Sequence, residues 1–256
     1  MAVCPDVSAV YLPDIRGAQN NVLIAKTPNG EKVFKFNDID LVEKNAVVSQ
    51  LYNIRGIRVP NITAHNVDGI CFEEYQKIPG KTLYQAIQDG MTNEQIKHVY
   101  SDILVEFEKM SRVHPAYINK HLKKDVHDIA YINVSNSNNR ILAKLCMGIV
   151  YLLNLGRQND QCILHSDISP KNIIVSDNGK FNGLVDVDNV CLCNKNYAFG
   201  MMAAKYKELG FDISDLIDEY RKISQQSLSE NNITGFATIA GAGKKLLWKH
   251  RQTKQK

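Results

Sequence analysis

The sequence predicts an α+β chain of two lobes, an antiparallel sheet followed by a mainly helical part. Three observations carry that reading. Short apolar runs separated by turn residues fill the chain up to Tyr75. A breaker pair, Pro79-Gly80, comes next and suits a hinge. Beyond it, apolar residues recur at helical spacing. The length of 256 residues leaves room for a real core, in one large domain or in two lobes around a cleft. With 44% hydrophobic and 23% charged residues, the balance is globular and excludes a disordered or collagen-like chain.

Taken in order, Val22 to Ala25 and Lys32 to Phe36 read as strands joined by Thr27-Pro28-Asn29-Gly30, whose Asn-Gly pair signals a hairpin. A helix follows, with Asp40 as its cap, Glu43 three residues on, and Val47, Val48 and Leu51 at helical spacing. Pro60 bounds the next segment, and Ile70 to Tyr75 is another strand. Gln95 to Val113 carries an amphipathic stripe from Ile96 through Met110. Ile141 to Leu155, apolar on most faces, reads as a buried helix; its Lys144 and Asn154 argue against a membrane span. Between 160 and 190 the texture turns to small strands around tight turns: 161–164, 172–175 and 183–187, with Asp177-Asn178-Gly179 as a turn. Helices return at 197–209 and 213–225.

The net charge of +4 is uneven. Six Lys and Arg lie in the last 13 residues with no acid, so the rest of the chain carries −2. That mildly acidic body does not look like a nucleic-acid binder, and the tail reads as a solvated terminus ahead of a site for an anionic partner or membrane surface. Six scattered cysteines in a chain of this length read as reduced thiols, and the N-terminus has no basic segment followed by an apolar run; both point to the cytoplasm. Cys191-x-Cys193 lacks a second ligand pair and reads as strand packing. Gly241 to Lys245 lacks the first Gly and the Ser or Thr of a phosphate loop. Asp212, Asp215, Asp218 and Glu219 sit near one helix start, where capping and a solvated face outweigh a pocket for a cation.

The chemistry concentrates in His165-Ser166-Asp167-Ile168-Ser169-Pro170-Lys171-Asn172, with Val185-Asp186-Val187-Asp188 downstream. Phosphoryl transfer from a nucleotide needs positioning, a carboxylate near the attacking hydroxyl and divalent ions on the phosphates. Magnesium keeps several waters, so one carboxylate and one amide oxygen are enough protein ligands. An Asp five residues before an Asn, with a second Asp on a nearby strand, meets those needs. Lys35 lies between Phe34 and Phe36 on a strand, so alternation places it on the face of Val33 and opposite the two rings. Such a lysine suits a phosphate-facing cation. Glu43 on the following helix is placed to pair with it, or else serves as a first-turn acid that favours the helix dipole. Arg16-Gly17-Ala18-Gln19-Asn20-Asn21 is a polar loop placed to close over phosphates.

These segments, in this order over residues 10–220, resemble the aminoglycoside phosphotransferase and choline kinase group of small-molecule kinases, whose fold is protein-kinase-like. Gly17 to Asn20 resembles that group's nucleotide loop, Phe34-Lys35-Phe36 its lysine strand, Glu43 its helix glutamate, and Tyr75 to Leu83 its hinge. Val113-His114 resembles the end of its first C-lobe helix. His165 to Asn172 resembles its catalytic loop and Val185-Asp186 its metal strand. The resemblance implies an N-lobe over 1–77, a C-lobe over 78–256, and ATP with Mg2+ between them. It implies that Asp167 orients or deprotonates the acceptor hydroxyl and that Asn172 and Asp186 hold magnesium. Lys35, braced by Glu43, would contact the phosphates together with the loop of Gly17 and Asn20. Backbone groups of Tyr75, Gln76 and Lys77 would take the base. His165 is structural, and Asp188 supports the site or faces substrate. The expected acceptor is a small hydroxyl-bearing molecule such as an aminoglycoside, an amino alcohol or a sugar. A protein kinase of the same fold and a non-catalytic nucleotide-binding module are the alternatives. Against the first, no Ala-Pro-Glu segment follows Asp188; against the second, Lys35, Asp167, Asn172 and Asp186 are all present. One departure from the group is Asn196 to Phe199, where an acidic segment is usual.

Overall fold

The computed structural model describes residues 7–13, 21–113, 161–224 and 228–235. The helix expected over 141–155, the Gly17 to Asn20 loop, His114 and the basic tail lie outside the described residues.

The first lobe is a five-stranded antiparallel sheet in the order β1-β2-β3-β5-β4. Its strands are β1 (Ala9–Tyr11), β2 (Asn21–Thr27), β3 (Gly30–Phe36), β4 (Thr63–Val67) and β5 (Ile70–Gln76). The Asn-Gly signal falls at the β2–β3 turn, where Gly30 takes φ 106°, a conformation that costs a residue without Cβ nothing. The expected alternation along β3 holds. Val33 and Lys35 are buried, while Phe34 and Phe36 pack on the other face against Phe72 at 6.0 and 5.6 Å. The register sets Lys35 opposite Glu73.

Helix α1 (Ile39–Ile54) packs on β4 and β5. Its N-cap is Asp38, not Asp40, which lies in the first turn. Val48 is fully buried, but Val47 is exposed, so the inward face is carried by Val42, Val48 and Tyr52. Tyr52 Oη donates to the Ile163 carbonyl at 3.0 Å and so links the helix to the second lobe.

In the second lobe, capping boxes at Thr82/Gln85 and Thr92/Gln95 start helices α2 (Leu83–Gln88) and α3 (Asn93–Ser111). The predicted stripe of α3, Ile96 to Met110, is the buried face. Phe107 on it meets Phe199 and Tyr220 edge-on at 5.6 and 5.8 Å. Such rings contribute roughly 1.5–3 kcal/mol each by burial. Those partners lie on α4 (Lys195–Glu208) and α5 (Ile213–Ile223). The small strands form two sheets. Strand β6 (Lys81–Thr82) pairs with β8 (Ile173–Val175), which pairs with β9 (Phe181–Leu184); β7 (Gln161–His165) pairs with β10 (Val190–Asn194). The strand expected over 183–187 ends at Leu184, and Val187–Asn189 is a 3₁₀ turn. The breaker at 79–80 has a steric reason. Gly80 sits at φ 112°, where a Cβ would meet the Val175 carbonyl oxygen at 2.1 Å. Cys191 and Cys193 lie in β10, as strand packing predicts. No described helix is long and apolar enough to cross a membrane.

Candidate active site

The loop between β7 and β8 is stitched to the segment before the 3₁₀ turn from both ends. Buried His165 donates from Nε2 to the Val185 carbonyl at 3.1 Å and accepts at Nδ1 from the Asp167 N–H at 3.3 Å. Burial lowers the His165 pKa more than the Val185 carbonyl and neighbouring Asp167 raise it, so the ring stays neutral. This is the structural role expected of it. Ser166 Oγ donates to the Asn189 carbonyl at 2.7 Å, and the Val185 N–H donates to the Asn172 carbonyl at 2.9 Å. Within the loop, Asn172 N–H bonds to the Ser169 carbonyl at 2.8 Å. Asn172 Nδ2 donates to the Asp167 carbonyl and carboxylate at 2.9 and 3.2 Å. The amide nitrogen of Asn172 is thereby committed, and its oxygen is left for another partner.

Asp186 stands in the left-handed region at φ 64°, ψ 58°. For a residue other than glycine this costs on the order of 1 kcal/mol. Lys35 reaches it from β3, across 151 positions of sequence, with Nζ 2.5 Å from Asp186 and 2.7 Å from Asp188. Burial would lower the Lys35 pKa, but Asp186 and Asp188 outweigh it and hold the ammonium above the usual lysine range. The described site therefore brings Lys35 to Asp186 and Asp188, and Asp167 to Asn172. The hydrogen bonds of His165 and Val185 tie the two sets together.

Other expected residues fall elsewhere. Glu43 is exposed on α1 and does not brace Lys35. The helix turns Lys44 and Asn45 toward the site instead, Lys44 bonding the Asp188 carbonyl at 2.5 Å and Asn45 the Asp188 carboxylate at 2.5 Å. Asn45 shares the buried face with Val42 and Val48, three residues to either side, whereas Glu43 shares the face of exposed Val47. Tyr75 lies on the Lys35 side of the sheet, opposite Val33, and burial raises its phenol pKa against the pull of Lys35. The expectation for Gln76 and Lys77 concerns their backbone; their side chains are engaged with the β2–β3 hairpin, Gln76 Nε2 donating to the Asn29 carbonyl at 3.2 Å and Lys77 Nζ pairing with Glu31 at 2.5 Å. The Lys77 N–H is engaged by the Glu31 carbonyl at 2.8 Å. Gly17 and Asn20 lie outside the described residues.

Glu73 is the residue that the sequence reading missed. It is 1% exposed, faces Lys35 across the β3–β5 register, and accepts from Asn45 Nδ2 at 2.6 Å. Burial raises its pKa to about 7 against the pull of Lys35 and Asn45. The only signal was alternation, which puts Glu73 and Tyr75 on one face of β5.

A strand-borne lysine meeting two aspartates beside an Asp–Asn loop, between a sheet and a helical lobe, defines the class of kinase-like phosphotransferases. The sequence profile of the Phosphotransferase enzyme family matches residues 12–208, and the chain belongs to that family. Solved structures with the same fold include the GDP complex of aminoglycoside 2'-phosphotransferase-IIIa. It has 14% identity and TM-score 0.69, with 94% of this chain and 85% of that one covered. The aminoglycoside phosphotransferase APH(3'')-Id of Streptomyces rimosus, solved with ADP and streptomycin, has 10% identity and TM-score 0.64, covering 86% and 89%. The choline kinase LicA of Streptococcus pneumoniae has 14% identity and TM-score 0.65, covering 98% and 88%. No curated protein sequence matches the chain.

Proposed function

We propose that this protein transfers the γ-phosphoryl group of ATP to a hydroxyl of a small molecule. The observation that carries the reading is the meeting of Lys35 with Asp186 and Asp188, tied through His165 and Val185 to the Asp167–Asn172 pair. In this reading Asp167 orients the acceptor hydroxyl and takes its proton, and Lys35 holds the phosphates. The base is held near Tyr75, at the edge of a nucleotide lobe over 1–77, with 78–256 forming the remainder. The reducing cytoplasm suits the free thiols.

The donor set fits Mg2+. Asn172 commits its amide nitrogen to Asp167, which leaves its oxygen as an acceptor, and the Asp186 carboxylate is one-third exposed. Both ligands are oxygens, as magnesium prefers. When bound there, the ion would neutralise phosphate charge. The acceptor class rests on the relatives named above, one solved with streptomycin and one a choline kinase.

The test is an ATP-consumption screen over aminoglycosides, choline, ethanolamine and sugars, with Asp167→Ala beside the wild type. Turnover with one acceptor class is expected, falling roughly 10²–10⁴-fold in the variant with nucleotide binding retained. Full activity in Asp167→Ala refutes the role, and the absence of nucleotide binding by the wild type refutes the function.

A further inference from the structure

The helix beside the nucleotide site supplies no carboxylate to its lysine. Glu43 is exposed, and the inward position is Asn45, fully buried. The carboxylate comes from the sheet instead. Glu73 lies opposite Lys35 on the adjacent strand, and both are buried. Asn45 joins the two sides. One amide nitrogen donates to Glu73 Oε1 at 2.6 Å and to Asp188 Oδ1 at 2.5 Å. Asp188 in turn accepts from Lys35 Nζ at 2.7 Å. The result is a relay of four side chains, Lys35, Asp188, Asn45 and Glu73, drawn from β3, the 3₁₀ turn, α1 and β5.

Two features argue that this relay is there for position and not for stability. Asn45 Oδ1 is buried with no hydrogen-bond partner, a cost that an apolar residue would avoid. The acids also outnumber the cations. Glu73, Asp186 and Asp188 face Lys35, while Lys44 is turned to the Asp188 carbonyl. An amide between two carboxylates keeps them apart and holds Asp188 against the ammonium.

We propose that Glu73, acting through Asn45, is a positioning residue that holds Lys35 and Asp188 in the phosphate-facing arrangement. The sheet thus does what a helix glutamate would do. The inference rests on the nucleotide-site reading above. It adds that the lysine's brace is a strand carboxylate relayed by a helix amide.

The experiment compares Mg·ATP with adenosine, and Mg·GTP with guanosine, as ligands of the full-length protein by calorimetry. Glu73→Gln keeps the shape and removes the charge; Asn45→Ala removes the relay. Each is expected to weaken triphosphate binding about tenfold and leave nucleoside binding unchanged, because Lys35 faces phosphate and not base. The double variant is expected to lose no more than either single one, since both act on one connection. Equal weakening of nucleotide and nucleoside, unchanged triphosphate binding, or additive losses would each overturn the proposal. Should Glu73→Gln fail to fold, Asn45→Ala alone decides by the same comparison of triphosphate and nucleoside. A wild type that binds no nucleotide brings down the site reading itself; a wild type that binds, with variants that match it, brings down only the role of Glu73.

Discussion

Two groups of carboxylates sit inside or at the edge of the core of this protein, and they are treated in opposite ways. On α3, Glu106 and Glu108 are surrounded by donors. Glu106 accepts from the Arg58 N–H and Nε, both at 3.0 Å, and from Lys109 at 3.1 Å. Glu108 takes bonds from Tyr220 Oη and Ser111 and a contact from Arg112 at 2.9 Å. Its pKa falls below the usual value: burial pulls it upward, and the bonds from Tyr220, Ser224 and Arg112 outweigh that. At the lobe junction, Glu73, Asp186 and Asp188 crowd around Lys35, and Glu73 is pushed up to about 7. Buried charge that is over-supplied with donors cements helices. Acids gathered round one lysine at a partly open junction leave room for a ligand, as the proposed phosphate-and-metal site requires.

This contrast can be broken by substitution. Asp186→Asn is expected to cost roughly 10³-fold in turnover while leaving the melting temperature unchanged or higher, since one repelling acid is gone. Kinetics and calorimetry on the same sample check both halves; a large loss of stability would put Asp186 in the cementing class. Glu106→Ala should do the reverse. It leaves the Arg58 N–H without its acceptor and should cost about 3 kcal/mol by denaturant unfolding, with the turnover of the folded fraction retained.

Glu73 sharpens the comparison through pH. Its carboxyl titrates near 4.5 when unfolded and about 7 when folded. The folded state therefore binds the proton more tightly. The stability this gives is fully present below pH 4.5 and is lost as pH rises through 7. The loss is on the order of 3 kcal/mol. Glu73→Gln should be less stable than wild type at pH 5 relative to pH 8 by that amount, read from unfolding curves at both; a difference that does not vary with pH removes the titration from Glu73. The smallest effect belongs to the surface. Lys97 and Asp215 pair at 2.9 Å but are each half exposed, so Lys97→Ala should cost less than about 1 kcal/mol, again by unfolding.

The elements were legible where one periodicity dominated. The β2–β3 hairpin announced itself by Asn29-Gly30, and the stripe of α3 by seven apolar residues at helical spacing. The Asp167–Asn172 loop was legible because its residues sit close in sequence and bond to one another. The helix face at α1 differs from the expected one because Val47, one turn beyond Glu43 and on its face, is exposed, while Val42, Asn45 and Val48 form the inward row. Residues 43 and 45 lie 200° apart on a helix, at about 100° per residue, so the exposed acid was taken for the inward one.

By itself, then, the sequence determined the two-lobed order of elements, the alternation that buries Lys35, and the loop carrying Asp167 and Asn172. Each of these depends on neighbours within a few residues. Only the tertiary structure decided which acids meet the lysine. Asp186 and Asp188 lie about 150 residues from Lys35, and Glu73 is brought beside it by strand register. Pairing across strands and between lobes is set by packing of the whole chain, and local spacing carries no record of it.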